Sequence, residues 1–91
     1  MLVLHLKSKP FEVMRTKEKM EEFRDGTAYW RSRLLSNKRK YTHIEFRSGY
    51  GLHRPHFRRR LLHIELASSV HRTYSNGLVV VGKNMIVLHL G

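Results

Sequence analysis

Lys19-x-x-Glu22-x-Arg24 is the part of the chain whose residue types and spacing best suit chemistry. It lies within Thr16-Lys17-Glu18-Lys19-Met20-Glu21-Glu22-Phe23-Arg24, where only Met20 and Phe23 are apolar. Read as a strand from Lys19 onward, successive side chains point to opposite faces. Glu22 and Arg24 then share one face. Lys19, Glu21 and Phe23 share the other, unless Lys19 still lies in the preceding turn. A carboxylate accepts from amino groups, and a guanidinium donates in a planar fork. A Lys, a Glu and an Arg this close can therefore form a charge-assisted network that holds an anion or a nucleobase edge. The competing reading is a surface strand of ion pairs, each contributing little when exposed.

Other candidate residues follow from type and context. Tyr50, between Gly49 and Gly51, is either a packed turn residue or an accessible ring on which an unpaired base stacks. Two basic triplets, Lys38-Arg39-Lys40 and Arg58-Arg59-Arg60, join Arg31, Arg33, Arg47 and Arg54. In a strand, Arg58 and Arg60 face one way and Arg59 the other. Such residues track phosphates and position a polyanion without reading its sequence; the plainer alternative is a solvated basic face. His53-x-x-His56 is a loop pair, and His5, His43, His63 and His89 alternate within strands, with no Asp or Cys at ligand spacing. We expect no metal site and no cofactor.

Charge places these residues in a wider setting. The chain has 91 residues, 18 Lys+Arg against 7 Asp+Glu, and a net charge of +11. Residues 31–72 carry eleven basic groups against Glu45 and Glu65, whereas residues 1–30 and 73–91 are nearly balanced. The middle of the chain is the electrostatic footprint for a polyanion. The absence of cysteine excludes disulfides, thiolate chemistry and a cysteine zinc site. The apolar runs fall short of the roughly 20 residues of a membrane span, and residues 1–7 read as a strand rather than a signal peptide. The expectation is one domain over residues 1–91, in the cytoplasm, with no membrane partner.

The elements that must position these groups read as follows. Residues 1–7 alternate Leu2/Leu4/Leu6 against Val3/His5/Lys7, a half-buried strand. Ser8 offers an N-cap, and a short helix over about 10–16 puts Phe11 and Met14 on one face. The charged stretch follows as turn and strand, ending at Asp25-Gly26. Thr27 caps a second helix over about 28–36, with Trp30 and Leu34 on its buried face. Strands follow at 41–47 and 57–70, the second alternating Leu62/Ile64/Leu66 against Leu61/His63/Glu65. Ser75-Asn76-Gly77 is a turn. Strands at 78–81 and 85–90 are then joined by a hairpin at Gly82-Lys83-Asn84. Five to six strands and two short helices predict a small α+β, barrel-like domain.

The Lys19-x-x-Glu22-x-Arg24 spacing resembles the core of the G-x-K-x-x-E-x-R motif of ASCH domains, a branch of the PUA-like barrels. Tyr29-Trp30-x-x-Arg33-Leu34 and Gly49-Tyr50-Gly51 are similar to stretches of small phage or bacterial ASCH proteins. Lys17 stands where the motif has Gly. The resemblance implies a PUA-like β-barrel with Lys19, Glu22 and Arg24 in a cleft. There Lys19 meets a phosphate or acts as a base, Glu22 accepts from a base amino group, and Arg24 orients Glu22 or pairs with phosphate. Similar proteins that deacetylate a modified cytidine carry Thr where Glu22 stands. A carboxylate does not replace a hydroxyl that a lysine deprotonates, so amidohydrolase chemistry is not expected. Others are assigned cleavage of single-stranded RNA; metal-free cleavage needs a base, an acid and a cation, for which Lys19, Tyr50 and His53 or His56 are candidates by type.

The leading expectation is a nucleic-acid-binding ASCH domain. It would take single-stranded RNA or another nucleic acid in a cleft of Lys19, Glu22, Arg24 and Tyr50. Arg33, Lys38, Arg39, Lys40, Arg47, Arg54, Arg58, Arg59 and Arg60 would guide the backbone. The alternatives are an enzyme on RNA or a modified nucleoside, with Lys19 and Tyr50 catalytic, and a basic interaction protein that covers an acidic protein partner.

Overall fold

The computed structural model describes residues 2–35, 41–49 and 54–91. The elements are β1 (Leu2–Leu6), α1 (Ser8–Arg15), β2 (Glu21–Asp25), α2 (Ala28–Trp30, running on as a π-helical turn Arg31–Leu35), β3 (His43–Ser48), β4 (His56–Thr73) and β5 (Val79–Leu90). The five strands form one mixed sheet in the order β1-β3-β4-β5-β2, with β1 parallel to β3 and the other pairs antiparallel. The sheet curls into a half-barrel with two short helices, an α+β architecture.

The alternation in β1 is observed: Leu2, Leu4 and Leu6 are buried. They meet Phe11 and Met14 of α1, Leu34, Ile44 and Phe46 of β3, and Ile86, Leu88 and Leu90 of β5 in the main core. Burying each such side chain contributes about 1.5–3 kcal/mol, and that burial curls the sheet around α1. A smaller cluster of Phe23, Val70, Met85 and Val87 lies under the outer part of the β4–β5 hairpin. On β3, Ile44 and Phe46 face the core, yet Glu45 on the opposite face is also buried. Arg47 and Arg58 cover it, their Nε atoms 2.6 and 3.4 Å from its carboxylate oxygens.

Two local expectations are corrected. Lys7, not Ser8, is the N-cap of α1 and makes no side-chain capping bond; Ser8 is already helical. The hairpin at Gly82-Lys83-Asn84 does not form. β5 runs unbroken through it, paired with β4 from Thr73↔Val79 to Leu61↔Leu90. Asn84 has positive φ, at 52°, but the flanking residues stay in register with β4 as Val70↔Gly82, Ser69↔Lys83 and Ala67↔Met85, so the strand does not reverse. The chain reverses instead at residues 74–78, where Tyr74 N donates to Leu78 O at 2.9 Å and Leu78 N to Asn76 Oδ1 at 3.2 Å. The expected faces of β4 also change partway. A register shift between Leu61 and His63 lets Leu61 and Ile64 both pack on the main core and leaves Leu62 58% exposed. Leu66, beyond the shift, is 47% exposed, and nothing in the structure explains its departure from the face of Ile64.

The second helix starts as expected, with Thr27 Oγ1 accepting from Trp30 N at 3.3 Å. Its later turn is π rather than α, and Leu34 is its buried residue. Among the described residues, no helix is long and apolar enough to cross a membrane.

Candidate functional site

β1 and β2 are the two edge strands of the sheet, and the half-barrel brings them face to face. Arg24 of β2 bridges this seam: its Nη2 donates to His5 O of β1 at 3.2 Å. The Lys19-Glu22-Arg24 constellation stands at that seam.

Local structure explains how. α1 ends at Thr16, and Lys17 adopts φ 69°, the left-handed conformation that favours glycine. Lys17 N then donates to Met14 O at 3.1 Å and Lys19 N to Val13 O at 2.9 Å, satisfying carbonyls the helix end leaves open. This tight turn swings Lys19 inward, so it lies in the turn and not in β2. It is 1% exposed. Its Nζ donates to Glu21 O and, at 3.2 Å, to Glu22 Oε1. Glu22, 4% exposed, also accepts from Phe23 N at 3.0 Å on Oε1 and from Arg24 Nη2 at 2.9 Å on Oε2. A carboxylate has about four acceptor sites, so among the described residues three are filled and one remains on Oε2. Arg24 Nε is buried with no hydrogen-bond partner among the described residues.

Burial pushes the Lys19 ammonium below the ordinary lysine value, against the opposing pull of Glu22. Two cations on one carboxylate leave the constellation with a formal charge of +1, which suits an anionic ligand.

The β4–β5 turn supports this arrangement from outside. Ser75 donates through N at 2.7 Å and Oγ at 2.5 Å to the Glu18 carboxylate, next to Lys19. These bonds lower the Glu18 pKa. Asn76 Nδ2 donates to Lys9 O of α1 at 2.9 Å.

Two concavities open on either side of Arg24. One, of about 310 Å³, is lined by His5, Lys7, Lys19, Glu22, Phe23, Arg24, Val80 and Met85 among others. The second, of about 350 Å³, is lined by Val3, Leu4, His5, Arg24, Tyr29, Trp30 and Arg33. Trp30 has a double role here. It packs on the main core as its helical spacing suggests, but its ring also lies 5.0 Å from the Arg24 guanidinium. Tyr29, 60% exposed, meets Trp30 edge-on at 5.0 Å, and Arg33 Nη1 donates to the Tyr29 hydroxyl at 3.1 Å. Tyr29 enters the sequence reading only within the Tyr29-Trp30-x-x-Arg33-Leu34 resemblance and His5 only as a strand histidine; neither is named there as a site residue. The i, i+4 spacing of Tyr29 and Arg33 is the signal that marks the aromatic-cationic face.

The basic residues divide. Arg33 lines the second concavity. Arg47 and Arg58 both pair with Glu45. Arg58 and Arg60 share a face, in register with Glu45 and His43, as expected. Arg59 faces the other way, stacks 4.5 Å from the Phe57 ring, and donates to Met14 O and Arg15 O at 3.2 and 3.1 Å. It caps the C-terminus of α1. Arg54 and Arg60 are exposed. Lys38, Arg39, Lys40, Tyr50 and His53 lie outside the described residues. Among the described residues, no group of three or more His, Asp or Glu has a geometry that would hold a metal ion.

Comparisons with family models, with curated proteins and with solved structures return no match.

Proposed function

We propose that this chain is an ASCH-like domain of PUA-like architecture that binds single-stranded nucleic acid, RNA foremost, in the β1–β2 seam. The observation that carries the reading is the buried Lys19-Glu22-Arg24 network standing beside two open concavities. Lys17 strengthens the likeness, since it takes the left-handed turn at the position where the motif has glycine. Buried polar networks are retained at some cost in stability, and a site that recognises a polar edge is a reason to retain one. In this reading Lys19 positions Glu22 from beneath. The open acceptor on Glu22 Oε2 takes a base amino group, and exposed arginines meet phosphates. The protein acts in the cytoplasm.

One observation favours a second reading, metal-independent RNA cleavage with Lys19 as base and Tyr50 as its partner. The lowered proton affinity of Lys19 brings it closer to the range a general base needs.

The test measures binding of labelled single-stranded RNA, single-stranded DNA and duplex DNA against salt, with RNA integrity checked in the same tubes. The proposal expects single strands to outlast the duplex as salt rises, with intact RNA recovered. Fragments would favour the cleavage reading. Equal binding of all three polyanions would reduce the protein to a generic basic surface and turn attention to an acidic protein partner.

A further inference from the structure

The concavity on the α2 side of Arg24 has a composition distinct from the Lys19 side. Tyr29 and Trp30 supply two rings in edge contact at 5.0 Å. Arg24 lies 5.0 Å from the Trp30 ring, and Arg33 lies 5.9 and 6.0 Å from the Tyr29 and Trp30 rings. Trp30 is held by the core and Arg24 by Glu22 and His5 O, so the inner wall is fixed before any ligand arrives. Tyr29 and Arg33 form the solvent-facing lip; Tyr29 is 60% exposed and its hydroxyl is tethered by Arg33. A large aromatic that exposed, and pinned by a cation, offers a π-face at little ordering cost.

From this we infer that the Tyr29-Trp30-Arg33 concavity is a stacking subsite for one unpaired nucleotide, its base on the Tyr29 ring against the Trp30 wall and its phosphate on Arg33. The inference rests on the nucleic-acid reading and deepens it. The Lys19-Glu22-Arg24 side offers hydrogen-bonding groups for a base edge, whereas this side offers rings and cations. The volume, about 350 Å³, lies within the range of small-ligand sites and suits one nucleotide unit. Stacking reads no particular base, so the subsite holds the strand without selecting its sequence. Because a paired base has its faces occupied by its neighbours, the subsite also explains a preference for single strands.

The chain's sole tryptophan is Trp30, so intrinsic tryptophan emission reports on this concavity alone. Emission and anisotropy would be followed together during titration with a labelled mixed-sequence RNA octamer. A ribose-phosphate octamer lacking bases serves as the equal-charge control. The subsite predicts a saturable change in Trp30 emission with the octamer, at the concentration where anisotropy saturates. The abasic strand should leave the emission unchanged and bind at least about 5- to 150-fold more weakly, the loss of one stacked base being the minimum. Tyr29→Ala should weaken octamer binding over the same range, and Tyr29→Phe should largely restore it. If the octamer binds by anisotropy while the emission stays flat and Tyr29→Ala binds like wild type, the subsite is wrong and the nucleic-acid reading survives. If the octamer fails to bind at all, the nucleic-acid reading falls and takes the subsite with it.

Discussion

Replacing Glu22 by Gln removes one charge and no volume from the centre of the seam. Glu22 holds two cations, Lys19 Nζ at 3.2 Å and Arg24 Nη2 at 2.9 Å. The Lys19 and Glu22 side chains are 1% and 6% exposed, so this pair belongs with buried ion pairs rather than surface ones. Breaking a buried pair by removing one partner costs about 3–5 kcal/mol, because the other charge stays buried without compensation. The Gln side chain can still accept from Lys19, but its amide then turns a donor toward Arg24 Nη2, a second loss. Arg24 is 20% exposed and retains His5 O, so its share is the smaller one. A domain of this size is stable by about 5–15 kcal/mol, so Glu22→Gln should remove about a fifth or more of the total at pH 7.

The sign of the pH dependence is also fixed. Lys19 has a folded-state pKa below its unfolded value, so between the two the unfolded chain binds more protons. Its contribution is destabilising below the folded pKa and is relieved as pH rises through it towards the unfolded value. Without Glu22 the folded pKa falls further, the window widens, and Glu22→Gln should recover part of its lost stability as pH rises from 7 towards the ordinary lysine range. Urea denaturation followed by Trp30 emission measures this. The double variant Lys19→Met/Glu22→Gln should be more stable than Glu22→Gln alone. A Glu22→Gln protein within about 1 kcal/mol of wild type, as for an exposed pair, and flat with pH would refute the reasoning.

Five further substitutions test the geometry. Lys17→Gly should stabilise the chain by about 0.5–1 kcal/mol in urea melts, since Lys17 stands at φ 69° and a left-handed non-glycine residue carries about 1–2 kcal/mol of strain; a loss would contradict the turn. Gly26→Ala should destabilise by more than about 2 kcal/mol, because its Cβ would meet the backbone oxygen of Asn84. Gly82→Ala should be milder in the same melts, because there the Cβ meets the flexible thioether of Met85. Arg59→Ala should lower stability by about 1–3 kcal/mol through loss of its bonds to Met14 O and Arg15 O, whereas Arg60→Ala should leave stability unchanged and reduce the salt slope of RNA binding by about one unit.

Much of the fold was legible because local pattern and tertiary packing agree. The Leu2/Leu4/Leu6 alternation, the Phe11/Met14 spacing, the Thr27 cap and the Ser75-Asn76-Gly77 turn each rest on nearest neighbours, and each is observed. The failures share a cause in long-range pairing. Gly82-Lys83-Asn84 has turn composition, but the unbroken partner strand β4 outweighs it. Leu62 fits a strand alternation with Ile64 until the register shift between Leu61 and His63 parts their faces. In the candidate site, the mutual contact of Glu22 and Arg24 followed from their two-residue spacing. The approach of β1 did not, because His5 and Arg24 are 19 residues apart and meet only when the sheet curls. Trp30 was read as core from its spacing with Leu34; its second role depends on Arg24 arriving from another element.

The central claim is that the bases of a single strand enter the β1–β2 seam, while the basic face of β3 and β4 meets only its phosphates. An amide and side-chain NMR titration with the RNA octamer tests it most directly. The account predicts that the largest shifts fall on residues 19–24 and 29–33, including the Trp30 indole N–H and the buried Arg24 Nε–H. It also predicts that a duplex of equal charge does not reproduce them. Shifts confined to the surface around Arg47, Arg58 and Arg60, alike for octamer and duplex, would contradict it.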